Sequence, residues 1–182
     1  MKHLLSTLKR FTPAAMLATF VLMVACHKQI DTTYSVGMNC DYLVPQSAQA
    51  IMDSLEIGIA TTEVKNTCVK EGINESQISY ATVKGIHLTI DQTANASFDA
   101  FTDMEFFLQD LNGSIVKKIG HVSNLNNSSK TLDLDITLEN ITPLITKDQL
   151  KVIWIAKSNK PISSSFVVHA SLDIDFTAVI YN

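Results

Sequence analysis

The chain reads as an all-β protein: a two-sheet antiparallel sandwich of about seven or eight strands with one or two short helices, behind an N-terminal signal segment. Three observations carry this. The closing stretch puts Phe166, Val168, Ala170, Leu172, Ile174, Phe176, Ala178 and Ile180 on one parity, and Ser165, His169, Ser171, Asp173, Asp175 and Thr177 on the other. Shorter runs with the same period of two recur upstream, separated by turn residues, and a period of two is what a strand with one buried face imposes. The longest mainly apolar run lies at the start, from Phe11 to Ala25, and is too short for a spanning helix.

That run has 15 residues, against the roughly 20 a membrane helix needs, and it fits a signal core. Lys2, Lys9 and Arg10 form its basic head, and Cys26 follows it. Leu22-Met23-Val24-Ala25 before that cysteine resembles the lipobox of bacterial lipoproteins, with Met23 where leucine is usual. The resemblance implies diacylation of Cys26 and cleavage before it, each buried methylene of such a chain contributing about 0.8 kcal/mol to membrane attachment; the alternative is an ordinary secretory signal cut nearby, which leaves Cys26 a plain thiol. Under the sorting rules of Gram-negative bacteria, His27 in place of aspartate implies passage to the outer membrane. Residues 1–25 are then signal, 26–33 a polar tether, and 34–182 the domain.

Removing the signal changes the charge. The chain has formal charge −4, and the removed segment carries three cations and no acid, so the mature chain stands at −7. No arginine follows Arg10. An acidic chain without arginine lacks both the basic footprint of nucleic-acid binding and the planar fork suited to phosphate. Length after cleavage, 157 residues, suits one domain.

The elements follow in order. Tyr34, Val36 and Met38 alternate with Ser35 and Gly37, and Asp41 to Gln46 forms a second short extended run that Pro45 ends. Leu55 to Ala60 reads as a strand. Thr62 to Glu71 reads as a helix, with Val64 and Cys68 four apart and Gly72 available for a left-handed cap. Ile86, Leu88 and Ile90 alternate with His87, Thr89 and Asp91; Met104 to Leu108 is apolar on both parities except at Glu105, as a central strand is. Asp110-Leu111-Asn112-Gly113 supplies a turn toward a partner strand, Ile115 to Val122. Leu132, Leu134, Ile136 and Leu138 predict one strand, Asn140 to Ile145 a helical turn, and Leu150 to Ala156 another strand apolar on both faces.

The order of these elements resembles a family of small lipoproteins of Bacteroidota that carry an immunoglobulin-like sandwich behind a lipobox. The resemblance rests on the helix ending in Glu71-Gly72, the strand Val83 to Ile90, the segment Phe98-Asp99-Ala100-Phe101, the strand Leu132 to Ile136 and the closing strand. It implies a fold and an address, and no activity. Asp31-Thr32-Thr33 and Asp53-Ser54-Leu55 resemble the tripeptide at which Bacteroidota attach O-glycans, making Thr32 and Ser54 the acceptors; the alternative is a solvated linker and a turn.

Chemistry-bearing residues are few. Cys40 and Cys68 form an even pair in a compartment that permits disulfides, so they are either bonded or two buried thiols. Asp133, Asp135, Asp173 and Asp175 would gather oxygen ligands for calcium if their strands were neighbours; a solvated outer face is the plainer reading. His87 with Asp91, and His169 with Asp173, each place an imidazole and a carboxylate on one strand face. No G-x-S-x-G or H-E-x-x-H motif accompanies them. Trp154 sits in a strand apolar on both faces and reads as core, while Tyr34, Tyr42, Tyr80 and Tyr181 are scattered. The expectation is a lipid-anchored, non-enzymatic envelope component of the outer membrane that needs no cofactor. Its partners are the membrane and an envelope protein or glycan; the alternatives are a carbohydrate-binding accessory lipoprotein or a fimbrial-type subunit.

Overall fold

The computed structural model describes residues 29–50, 54–126 and 128–181. The signal segment, Cys26 and the start of the tether lie outside the described residues, as does Asp53 of the second glycan motif. Among the described residues, nine strands build two antiparallel sheets. They are β1 (Gln29–Val44), β2 (Ser54–Thr61), β3 (Ile78–Ile90), β4 (Phe101–Asp110), β5 (Val116–Val122), β6 (Thr131–Asp133), β7 (Asp135–Ile136), β8 (Gln149–Ser158) and β9 (Phe166–Tyr181). The four-stranded sheet has the order β1-β9-β3-β6 and the five-stranded sheet β2-β8-β4-β5-β7.

The closing strand is the spine of the first sheet. β9 pairs with β1 over sixteen rungs, from Gln29 opposite Tyr181 to Val44 opposite Phe166. On its other side β9 pairs with β3. This overturns two expectations about the start of the domain. Gln29 to Thr33 belongs to β1 and is not a tether, and the runs at Tyr34 and Asp41 are one strand. The physical reason is the partner: β9 offers a ladder long enough to order polar residues that have no apolar pattern of their own.

β8 and β4 are internal strands of the second sheet, which explains their apolar character on both parities. The turn after β4 is fixed by Asp110, whose Oδ1 accepts from Ile115 N at 2.9 Å, with Gly113 at φ +77°. The strand expected over Leu132 to Leu138 is instead two pieces in different sheets. β6 pairs with β3, and after Leu134, whose N–H donates to Ile86 O at 3.1 Å, β7 pairs with β5. The chain thus steps from one sheet to the other while its alternation in sequence continues.

β2 follows β1 over only part of its length. A Cβ on Gly58 would stand 3.0 Å from Cys40 Cβ, so β2 crosses β1 at Cys40–Tyr42; β2 ends three residues later, whereas β1 continues eleven residues to Gln29. Helix α1 (Val64–Glu71) follows β2, and helix α2 (Thr142–Ile145) packs on β3. α1 buries Val64 and Cys68 and ends on Gly72 at φ +68°, with Ile73 N donating to Cys68 O at 2.8 Å. Ile141 N donates to Ala81 O at 2.9 Å, which holds α2 against β3. Between the sheets the core is aromatic: Trp154 stacks on Phe106 at 6.0 Å and meets Tyr42 edge-on at 5.4 Å.

Candidate functional site

Directly opposed residues of antiparallel strands share a face, so the ladder assigns the outer surface of the four-stranded sheet rung by rung. One rung is Asp41, His169, Thr89 and Thr131; the next is Asn39, Ser171, His87 and Asp133; below them come Gly37, Asp173 and Gly85, then Ser35, Asp175 and Thr82. Strand pairing therefore builds a polar face on which two histidines meet carboxylates.

His87 Nδ1 lies 2.5 Å from Asp133 Oδ1, and its Nε2 lies 3.4 Å from Asp173 Oδ2. Both ring nitrogens face carboxylates, a placement that suits the doubly protonated ring. The hydrogen bond to Asp133 accordingly pushes the His87 pKa up, with the charges of Asp133 and Asp173 adding to it and partial burial opposing. Gly85 keeps this contact open, since a Cβ there would stand 3.1 Å from His87 Nε2 and 3.2 Å from Asp173 Oδ2. His169 Nδ1 lies 2.8 Å from Asp41 Oδ1 across the β9–β1 pair, and Ser35 donates to Asp175 at 2.6 Å.

These contacts correct the expected pairings. His87 is bound to Asp133 and Asp173, not to Asp91, and His169 is bound to Asp41, not to Asp173. The cause is geometric: carboxylates two or four residues along a strand stand further off than residues directly across the ladder. Asp91 lies past the end of β3 and accepts from the Thr93 N–H and hydroxyl, which holds its carboxyl below the usual range. The four-aspartate calcium site is not assembled, because Asp135 belongs to the other sheet, beside His121. Among the described residues no group of three or more histidine, cysteine and acidic side chains could hold a metal ion.

Of the two readings open for Cys40 and Cys68, the structure has the second: both are buried free thiols. Cys40 faces the second sheet and donates to Tyr42 Oη at 3.1 Å, and Tyr42 in turn donates to Val152 O at 3.1 Å. Burial pushes the Cys40 thiol up to about 11 and raises Cys68 as well, the opposite of the lowering that activates a thiol. Trp154 is core, as its strand implied. Thr32 lies half-buried in β1 opposite Ala178, and Ser54 opens β2.

A second feature had no signal in the sequence. At the end of the sandwich opposite Gln29, the loops after β3 and β8 enclose a cleft of about 330 Å³ lined by Ala94, Ser97, Asp99, Lys130, Lys160 and Ser164, among others. Its walls are braced internally. Lys130 donates to the carbonyls of Gln92 at 2.7 Å and Ala94 at 2.6 Å, while Asp99 accepts from Ser97 at 2.6 Å and Lys160 at 2.7 Å. The last two bonds hold the Asp99 carboxyl below its usual range, Lys160 foremost. Residues that brace one another across two loops are visible only once the loops are placed.

Compared with known proteins, the chain matches no protein-family model and no curated protein sequence. Among solved structures it is similar to the C-terminal domain of a chitobiase from Bacteroides fragilis, with TM-score 0.29 and 9% identity over 71% of this chain; the match spans 66% of that domain's length. A second is Desmodium yellow mottle tymovirus, with TM-score 0.27 and 14% identity over 86% of this chain and 90% of that one. Likenesses this remote carry no statement about activity or descent. The chain's own two antiparallel sheets make it a β-sandwich protein.

Proposed function

We propose that the protein is a lipid-anchored component of a Bacteroidota-type outer membrane, a non-enzymatic β-sandwich that acts by binding or assembly. The observation that carries this is the basic head, 15-residue apolar core and Cys26 of the N-terminal segment. The fold adds a spatial consequence. β1 begins at Gln29, three residues after the proposed anchor, so the loop cleft lies about 50 Å further along sixteen residues of strand. Tethering then acts as concentration: a weak contact made by a surface-confined domain gains from high local density.

The non-enzymatic reading draws support from the His–Asp pairs, which lie on an open strand face where the ring contacts run to carboxylates and not to a serine or cysteine. The glycan-binding alternative lacks its best platform, because Trp154 is in the core and Tyr42 with it. Strand donation, the fimbrial alternative, requires a vacant strand position, and the continuous β1–β9–β3 pairing leaves none in the middle of that sheet. The test is the mass and first residue of the protein purified from membranes. A chain beginning at Cys26 with two or three acyl groups supports the proposal; a bare polypeptide, or a start elsewhere, overturns it.

A further inference from the structure

We infer that the outer face of the five-stranded sheet lies flat against the lipid bilayer, so that the acidic face of the four-stranded sheet points away from it. The inference rests on the proposed anchor at Cys26 and adds to it an orientation and a second membrane contact.

The first observation is an exposed apolar surface. Leu55, Ile57 and Ile59 of β2 are 60%, 52% and 61% exposed, and they form one stripe on the strand's outer side. The ladder extends that stripe inward: Leu55 faces Ile155, Ile57 faces Ile153, and Ile153 faces Phe107 of β4, with Ile153, Ile155 and Phe107 half-buried on the same side. Contiguous apolar patches of this kind on a soluble face mark a contact surface.

The second observation is charge. The opposite face carries Asp31, Asp41, Asp133, Asp173 and Asp175 on its rungs, with His87 and His169 among them and Lys84 in a bulge of β3. On the apolar face, Lys118, Lys151 and Lys157 balance Asp103, Glu105 and Asp135. An anionic headgroup layer repels the first surface and not the second, while Lys151, beside Ile59 through their cross-strand pairing, is placed to reach lipid phosphates at the rim of the stripe.

The third is reach. From Cys26 to Gln29 the chain extends at most about 11 Å, which keeps the domain in contact distance of the bilayer. Lying on the other face would press five carboxylates into the same headgroups.

The test uses the mature lipidated chain in vesicles of phosphatidylethanolamine and phosphatidylglycerol. A fluorophore is attached at Thr61→Cys, on the outer side of β2 beside the stripe, or at Asn39→Cys, on the acidic face. Cys40 and Cys68 are buried and Cys26 is acylated, so the new thiol labels selectively. Spin-labelled lipid is expected to remove most of the emission at position 61 and little at 39. Combined L55S, I57S and I59S substitution should abolish that difference while the chain still floats with the vesicles and melts within a few degrees of the parent. Equal quenching at both positions overturns the orientation and leaves the anchor standing. Shielding of position 61 that persists in detergent and grows with protein concentration also overturns it, in favour of a second copy on this face. Failure to float overturns the anchor and, with it, this inference.

Discussion

The two sheets solve the same inner problem and differ on the outside. β9 and β8 both send alternate side chains into one core, Leu172, Ile174 and Phe176 from the first, and Val152, Trp154 and Ala156 from the second. Outward, β9 shows His169, Asp173 and Asp175, while β8 with its neighbour β2 shows Ile153, Ile155, Leu55, Ile57 and Ile59. Inner faces are set by the need to remove apolar area from water, which every strand shares. Outer faces are free to record what each side of the molecule meets.

If that division is right, inward truncations should cost alike from either sheet. Trp154→Ala and Leu172→Ala both empty fully buried positions, and chemical denaturation should show losses of about 3–5 and 2–5 kcal/mol respectively. A marked disparity, with one sheet tolerating truncation, would mean that the sheets do not share a single core.

Glycines sharpen the contrast at smaller scale. Gly58 faces inward, where a Cβ would stand 3.0 Å from Cys40 Cβ and 3.3 Å from the Tyr42 ring, so Gly58→Ala should destabilise by about 1–3 kcal/mol through overpacking. Gly37 faces outward beside Asp173 with nothing near its missing Cβ, and Gly37→Ala should gain up to about 1 kcal/mol by restricting the unfolded chain. Thermal melts of the two variants should therefore move in opposite directions. On the apolar outer face Ile57→Ser should change stability by no more than about 0.5 kcal/mol, since the side chain is already half in water.

The inner faces were legible from the sequence, because alternation is a local signal: β9, β2, α1 with its Gly72 cap and the Asp110–Gly113 turn all stand where their residues place them. What the sequence could not carry was partnership. Nothing local to Gln29–Thr33 announces a strand; the ladder of β9 confers it. Nothing in Leu132 to Leu138 tells a strand that stays in one sheet from one that changes sheet at Leu134. His87 has Asp91 four residues away and Asp133 forty-six residues away, and the distant one is the neighbour. The histidine contacts follow from register, which is a property of pairs of strands and not of either alone.

The smallest expected effect tests the acidic face by itself. In the folded protein the His87 pKa is raised by Asp133 and Asp173 above the value of about 6.5 it takes in the unfolded chain. Below that unfolded value the ring is protonated in both states and the stabilisation is fully present; as pH rises through the folded value the proton leaves and the contribution is lost. Stability should thus fall as pH climbs above about 6.5, by well under about 1 kcal/mol, because the ring is half exposed and the pair is screened by water and salt. Asp99, held low by Lys160 and Ser97, acts in a separate window: its contribution is present above about pH 4 and is lost as pH falls through its depressed value. Denaturation midpoints between pH 6 and 8 therefore separate the His87 contribution from that of Asp99. Asp133→Asn should flatten that slope, and added salt should shrink it in the parent, whereas Ile57→Ser on the opposite face should leave it unchanged. A slope that survives Asp133→Asn would place its origin in another group and remove the electrostatic distinction between the two faces at His87.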